Sequence, residues 1–433
     1  MRKTRSYLTL MAAGASALVL AGCGGGGSSS SSTTAATPPA STPPASTPPT
    51  STTPTSFQVT ALAGTTAAGT VDTLAPANVA SGDSTTFSFP ATQNATLNPN
   101  LAGAWGVAFG PGSAVWVNGE ASNMSVLLDG TGTPIPSLPS VSVPGGPTGI
   151  VANVNTVSCP TITASTCTGF NTSGFSVGGG SAEFMFASLN GNLYAWSTGT
   201  AASQVATGAT GSSYTGLGIF TQSTGSTFLL AANFGAGKID VYNSSFQIDT
   251  TNAFPGGFTD SSLPAGYAPF GVQQIGNLIY VSYAQKPTAP GPEVDGAGFG
   301  QVDVFDNTGK LLRTLGAVGG VFNAPWGMTI APQGFGSLSG DILVGDLGDG
   351  RINVFDPNSG ANLGVMMDSA TGKPVQIPGL WGIAFGNNAM SQSSTVLYYA
   401  AQTDHKAQGL YGQIAVPGAT TSTTTTTTNP FNY

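Results

Sequence analysis

The sequence predicts an all-β protein, a six-bladed β-propeller preceded by a lipoprotein signal and a disordered linker. Three observations predict it. A short glycine-centred motif recurs six times between residues 106 and 382. Hairpin signals are frequent, while no segment shows the apolar 3.6-residue period of a helix. The composition also changes near residue 57, from a tract with nothing to bury to one rich in β-branched and aromatic runs.

The first element is residues 1–22, read as a signal peptide. Arg2, Lys3 and Arg5 precede an uncharged stretch from Ser6 to Ala21 that ends in Leu20-Ala21-Gly22-Cys23. That stretch is shorter than the roughly 20 apolar residues needed to cross a bilayer core, which favours a cleaved signal over a membrane span. Cys23 stands where a lipobox places the acylated cysteine, and more than one acyl chain there would give stable attachment. An ordinary signal peptide with an incidental Cys23 is the alternative. Gly24 follows in place of an Asp that would retain the chain at an inner membrane, so the expected location is extracytoplasmic, at the outer membrane of a Gram-negative cell. Residues 23–56 are almost wholly Gly, Ser, Thr, Ala and Pro, too poor in apolar side chains to offset chain entropy, and read as a tether. Residues 418–433 are a Thr-rich tail of the same kind.

Residues 57–417 hold the repeat. Its six copies are Trp105-Gly106-Val107, Thr148-Gly149-Ile150, Thr215-Gly216-Leu217, Phe270-Gly271-Val272, Trp326-Gly327-Met328 and Trp381-Gly382-Ile383. The glycines are 43, 67, 55, 56 and 55 residues apart, and the long interval contains Cys159 and Cys167. A second phase follows each copy, clearest in Gly300-Gln301-Val302-Asp303-Val304-Phe305 and Gly350-Arg351-Ile352-Asn353-Val354-Phe355. Six multistrand units without helices make a propeller, with the strand after each glycine innermost, where blades crowd the axis. Trp105, Phe270, Trp326 and Trp381 then stand near the channel mouth or between blades, as packing or as surfaces for ligand stacking.

Within the blades, residues 184–189 and 192–196 flank Asn190-Gly191, read as a type I′ turn with two positive φ angles. Asp349-Gly350 and Gly276-Asn277 mark two more hairpins. The lone run Phe57 to Leu62 is expected to pair in the last blade, because closure removes exposed strand edges.

Charge and cysteines bound the partners. The chain has 10 Lys and Arg, 18 Asp and Glu, and a net charge of −8, and loss of the signal removes three bases and no acid. Such a surface repels phosphate backbones, so nucleic acid is excluded as a partner. Charged residues are only 6% of the chain, which leaves Ser, Thr, Asn, Gln and Gly to cover the surface of what is expected to be a monomer. Cys159 and Cys167 read as a disulfide closing a small loop, or else as a free-thiol pair. His405 is the single histidine, so a zinc site lacks ligands.

The segments Asn98 to Phe109, Ala182 to Trp196, Gly300 to Asp306 and Val344 to Asp356 together resemble a bacterial extracytoplasmic family, some of whose members carry a PEP-CTERM sorting signal. More loosely they resemble NHL-type six-bladed propellers. The resemblance covers most of residues 57–416. It implies export and a propeller, and no reaction or catalytic residue comes with it. This chain departs from those members in its lipobox and its Thr tail.

Candidate chemistry is sparse. Gly174-Phe175-Ser176-Val177-Gly178 matches G-x-S-x-G but sits in a Gly-rich loop leading into a strand, whereas that motif needs a strand-to-helix elbow. His405 is read as a solvated loop residue rather than a base. Glu120, Glu183 and Asp349 join the scarce acids, and Glu293, Asp295, Asp346 and Asp404 are the set that could line a channel and hold Ca²⁺ through oxygen ligands, as propeller lactonases do. Two readings of function follow beside a purely structural envelope role. A binding module for an envelope protein or polysaccharide predicts an exposed aromatic patch. A metal-dependent hydrolase predicts acids from three or more blades converging on the channel.

Overall fold

Six antiparallel sheets follow one another along the chain, each built from strands nearly consecutive in sequence. The computed structural model describes residues 56–65, 71–72, 87–88, 95–159, 167, 169–171, 174–289, 291–402 and 408–418. The chain divides into Met1–Ser51 and Thr52–Tyr433, and every described residue lies in the second unit. Cys23, the signal, most of the linker, the Thr tail, Asp404 and His405 fall outside the described residues.

Blade 1 comprises Ala104–Phe109, Val115–Gly119, Met124–Leu128 and Ser140–Ser142. Blade 2 comprises Pro147–Ala152, Phe184–Ser188, Asn192–Trp196 and Ser203–Thr207. Blade 3 has three strands, Tyr214–Thr221, Thr227–Asn233 and Lys238–Tyr242. Blade 4 runs Tyr267–Ile275, Leu278–Gln285, Gln301–Phe305 and Leu311–Gly316. Blade 5 runs Pro325–Ile330, Ile342–Asp346, Ile352–Phe355 and Asn362–Val365. Blade 6 joins the two ends of the domain: Leu380–Phe385, Leu397–Ala401 and Leu410–Ala415 are completed by Gln58–Gly64. The closing strand pairs antiparallel, Gln58 opposite Ala415 and Gly64 opposite Leu410, and its neighbour Phe57 is fully buried against Phe335. Two short 3₁₀ turns, Pro99–Leu101 and Gly336–Leu338, are the helical elements among the described residues.

The repeat glycine explains how the ring closes. A Cβ on Gly106 would lie 2.3 Å from the Thr148 carbonyl oxygen of the next blade, on Gly149 2.2 Å from the Leu217 nitrogen, and on Gly216 3.0 Å from the Gly271 Cα. On Gly271 and Gly327 it would lie 2.5 Å from the Trp326 and Trp381 carbonyl oxygens, and on Gly382 2.7 Å from that of Trp105, which returns the sequence to blade 1. At this glycine each innermost strand thus meets the backbone of the next at its shortest approach. The ladder slips register at this same place in every blade, a bulge that turns the residue before the glycine away from the sheet.

Between successive blades lie six apolar clusters, one for each of the six interfaces, and a seventh lies on the axis. Alternation along each strand sends successive side chains into the two flanking interfaces, so strands buried on both faces read as almost continuous apolar runs.

One turn differs from its expectation. Asn190 does not adopt positive φ; only Gly191 does, at 77°, and the Gly191 amide bonds back to the Ser188 carbonyl at 3.0 Å. That is a turn followed by a left-handed glycine rather than two left-handed residues. The Asn190 side chain explains the choice: its Oδ1 accepts from Ser188 Oγ at 2.6 Å and from the Asn192 amide at 3.1 Å, a local bridge that holds the loop open.

A blind channel on the propeller axis

The innermost strands all run in one direction along the axis, so the channel has a leading end, where they begin, and a trailing end, where they finish. The residue before each repeat glycine stands at the leading end. Trp105, Phe270, Trp326 and Trp381 from blades 1, 4, 5 and 6 meet there in one cluster. The rings of Trp105 and Trp381 stack with centroids 3.5 Å apart, and Trp326 stands edge-on to both at 6.4 and 5.8 Å. Phe270 lies 5.4 Å from Trp381 and is backed by Phe234 at 5.4 Å. In blades 2 and 3 the same position is Thr, whose hydroxyl ties the backbone of the following blade: Thr148 to the Tyr214 carbonyl at 2.7 Å and Thr215 to the Phe270 carbonyl at 2.8 Å. The four aromatics are therefore a stopper, buried or half-buried, that closes the leading end.

Below the stopper the residue after each glycine forms a neck. Val107, Ile150, Leu217, Val272, Met328 and Ile383, one from each blade, surround a space of about 40 Å³. Trp326 is its roof, held by an indole N–H donated to the Thr215 carbonyl at 2.9 Å. Toward the trailing end the channel widens into a chamber of about 450 Å³. Its wall includes Phe109, Ala152, Ile219, Gln274, Ile330 and Phe385, the third residue after each glycine. No Asp, Glu, Lys, Arg or His is among the described lining residues.

The long interval of blade 2 supplies part of the chamber rim. Val154, Thr156 and Cys159 line it, and Cys159 is joined to Cys167 by a disulfide with Cα atoms 4.4 Å apart. Thr156 and Thr221 exchange hydrogen bonds, each amide donating to the other's hydroxyl at 3.0 and 2.7 Å, which fixes the rim to the end of blade 3.

The acids stand elsewhere. Glu293 and Asp295 lie in the loop between the second and third strands of blade 4. Asp346 ends the second strand of blade 5, fully buried; it accepts from Asn353 Nδ2 at 2.7 Å, and burial pushes its carboxyl well above the usual carboxylate range. Asp349 in the following turn is also raised by burial. Glu120 occupies the turn after the second strand of blade 1, its amide donating to Gly103. Glu183 precedes the second strand of blade 2, and burial raises its carboxyl to about 7. Among the described residues no three of His, Cys, Asp and Glu gather closely enough to hold a metal ion. Glu293, Asp295 and Asp346 are not among the lining residues of the channel: the first two belong to the loop of blade 4, and Asp346 is turned into the interior of blade 5.

Ser176 lies in a two-residue strand, Ser176–Val177, paired with Gly180–Ser181, and no helix follows it. The strand-to-helix elbow that the motif needs is absent there. Exposed large apolar residues among those described are Leu97, Val157, Ile248, Leu312, Val321 and Leu363, all aliphatic and well separated in sequence, so the exposed aromatic patch foreseen for a binding face is not found among them. Sequence reasoning missed the neck and chamber. Their signal was the run of apolar residues at the first and third positions after each glycine, interrupted by Gln274 alone.

No family model matches the chain. It is similar to uncharacterised proteins of Acanthamoeba polyphaga mimivirus: protein R648, 36% identical over 187 residues, covers 43% of this chain and 45% of the relative, and protein L690, 34% identical over 187 residues, covers 43% and 48%. The chain thus spans less than half the length of these curated relatives. Solved structures similar to it include the WD40 domain of Neurospora crassa Pan2, with a TM-score of 0.36 at 12% identity over 71% of this chain and 74% of that one. The WD40 propeller domain of Doa1 gives 0.35 at 9% identity over 72% and 96%, and streptogramin B lyase 0.35 at 12% over 74% and 95%. These are likenesses of fold alone.

Proposed function

We propose that this chain is an exported, lipid-anchored binding module that captures a component of the cell envelope on its propeller axis. The observation that carries the reading is the blind channel: one end is sealed by aromatic rings, the other opens into a chamber of ligand size, and no ionisable side chain is among its described lining residues. Concave, mainly apolar sites of this volume are the usual form of a small-molecule site. Catalysis by a channel metal would need converging carboxylates, and the described acids serve turns and blade interiors instead. A protein or polysaccharide partner would reach the module at the trailing end, where the disulfide segment forms part of the rim.

The anchor is tested by fractionation. Cys23→Ala should move the protein from the membrane pellet to the soluble fraction, and a variant that stays with the membrane refutes the tethered module. Thermal unfolding in EDTA and then in Ca²⁺ tests the hydrolase alternative, since any ion that prefers the native state raises the midpoint. The module reading expects no shift.

A further inference from the structure

We infer that the axial chamber takes a neutral, largely apolar molecule carrying one hydrogen-bond donor, which it offers to Gln274. The inference rests on the binding-module reading and adds the chemistry of its ligand. Three features of the wall lead to it. First, Val107, Ile330 and Phe385 remain half-exposed although they belong to innermost strands, so each, besides packing against an inter-blade cluster, leaves apolar surface open to the chamber. Second, the described wall offers no charge to a ligand, and an ion entering it would lose hydration without a partner. Third, the wall has one break in its apolar order. Gln274 occupies the position held in the other five blades by Phe109, Ala152, Ile219, Ile330 and Phe385.

The Gln274 amide has a defined direction. Its Nε2 donates to the Gly276 carbonyl at 2.7 Å, which leaves Oε1 as the acceptor, and that buried oxygen has no hydrogen-bond partner. A buried acceptor without a donor is costly, so the half-exposed amide gains by turning from the Gly276 carbonyl toward the chamber, where a ligand hydroxyl or amine N–H meets Oε1. Gln273, next to it and exposed, adds polarity at the opening. The stopper makes the site one-ended: a molecule enters past the disulfide rim and ends against the neck of six aliphatic side chains.

The test uses N-phenyl-1-naphthylamine, an uncharged aromatic probe with a single N–H, against its sulfonated anionic counterpart. The purified chain should bind the neutral probe saturably with a blue-shifted emission, and the anion at least tenfold more weakly. Ile330→Glu, which sets a carboxylate in the half-exposed wall, should weaken the neutral probe tenfold or more. Gln274→Leu should weaken it about fivefold and leave the N-methylated probe, which has no donor, unchanged; this second variant also serves if Ile330→Glu does not fold. Equal binding of neutral and anionic probes, no saturable binding, or a Gln274→Leu variant that treats both neutral probes alike would overturn the inference. None of those results touches the tether, which stands or falls with the fractionation of Cys23→Ala.

Discussion

Gly149→Ala adds one methyl group where two innermost strands meet, and its cost can be worked from the geometry. The new Cβ would lie 2.2 Å from the Leu217 nitrogen, 2.7 Å from the Gly216 carbonyl carbon and 3.0 Å from the Gly216 Cα. All three atoms are backbone, so no side chain can swing aside, and ordinary contact near 3.4 Å requires the strands to part by about 1 Å. Overpacking of this kind costs about 1–3 kcal/mol, and an immobile partner places the site at the upper end. The smaller unfolded-state entropy of Ala returns about 0.5–1 kcal/mol, for a net loss of about 2 kcal/mol. With an unfolding entropy of about 2.1 cal/mol/K per residue over roughly 360 residues, that loss lowers the melting temperature by about 3 °C. Gly180→Ala is the control, because its Cβ would meet only the Val177 carbonyl oxygen at 4.0 Å; it should melt with the wild type. Scanning calorimetry of both variants decides the matter. A Gly149→Ala protein as stable as wild type, or a Gly180→Ala protein equally weakened, would refute backbone-to-backbone contact as the reason for the repeat glycine.

Two further outcomes follow from buried groups. Asp303 is fully buried in blade 4, where it accepts from Gln301 Nε2 at 3.0 Å and Thr314 Oγ1 at 2.7 Å, and burial raises its carboxyl to about 6. The folded state therefore holds its proton more tightly than the unfolded chain, so the group's contribution is full below the ordinary value of 3.8 and is lost as pH rises through 6. At about 1.4 kcal/mol per unit of pKa this amounts to at most about 3 kcal/mol. Asp303→Asn, measured by urea unfolding between these pH values, should flatten the decline and be more stable than wild type above pH 7; an unchanged pH profile would contradict the assignment. Phe57→Ala removes a fully buried ring of the closing segment, in contact with Phe335, and should cost about 3 kcal/mol in the same assay, as such truncations do. A loss below 1 kcal/mol would mean that the ring closes without this segment.

The repeat was legible because its glycine answers a condition that recurs in all six blades, most loosely at Gly216. Wherever two backbones approach below the width of a methyl group, no other residue serves, and a spacing of 55 or 56 residues exposes the pattern in three of the five intervals. The closing strand was legible for a related reason: Phe57 to Leu62 alternates apolar and polar residues as a strand does, without a partner nearby in sequence, and only the last blade had an edge to offer. The disulfide was legible as a pairing of two cysteines eight residues apart, though not as part of a channel rim.

What stayed hidden depends on ring closure, a condition spread over about 280 residues. Ile150 and Ile383 read as ordinary strand interior whether they face a neighbouring blade or the axis, since both surroundings select aliphatic side chains. The acids misled in the opposite sense. Asp346 stands out in a chain with 6% charged residues, but it is used to join strands within a blade, accepting from Asn353. A charge is conspicuous in such a composition whatever it does, so rarity alone does not place it on the axis. The informative position was an uncharged one. Once the six copies are aligned on their glycines, the third residue reads Phe109, Ala152, Ile219, Gln274, Ile330 and Phe385, and a single amide in that column has a physical meaning only if the column faces a shared space. The departure of one blade from the apolar order therefore points to the chamber more directly than any motif in the chain.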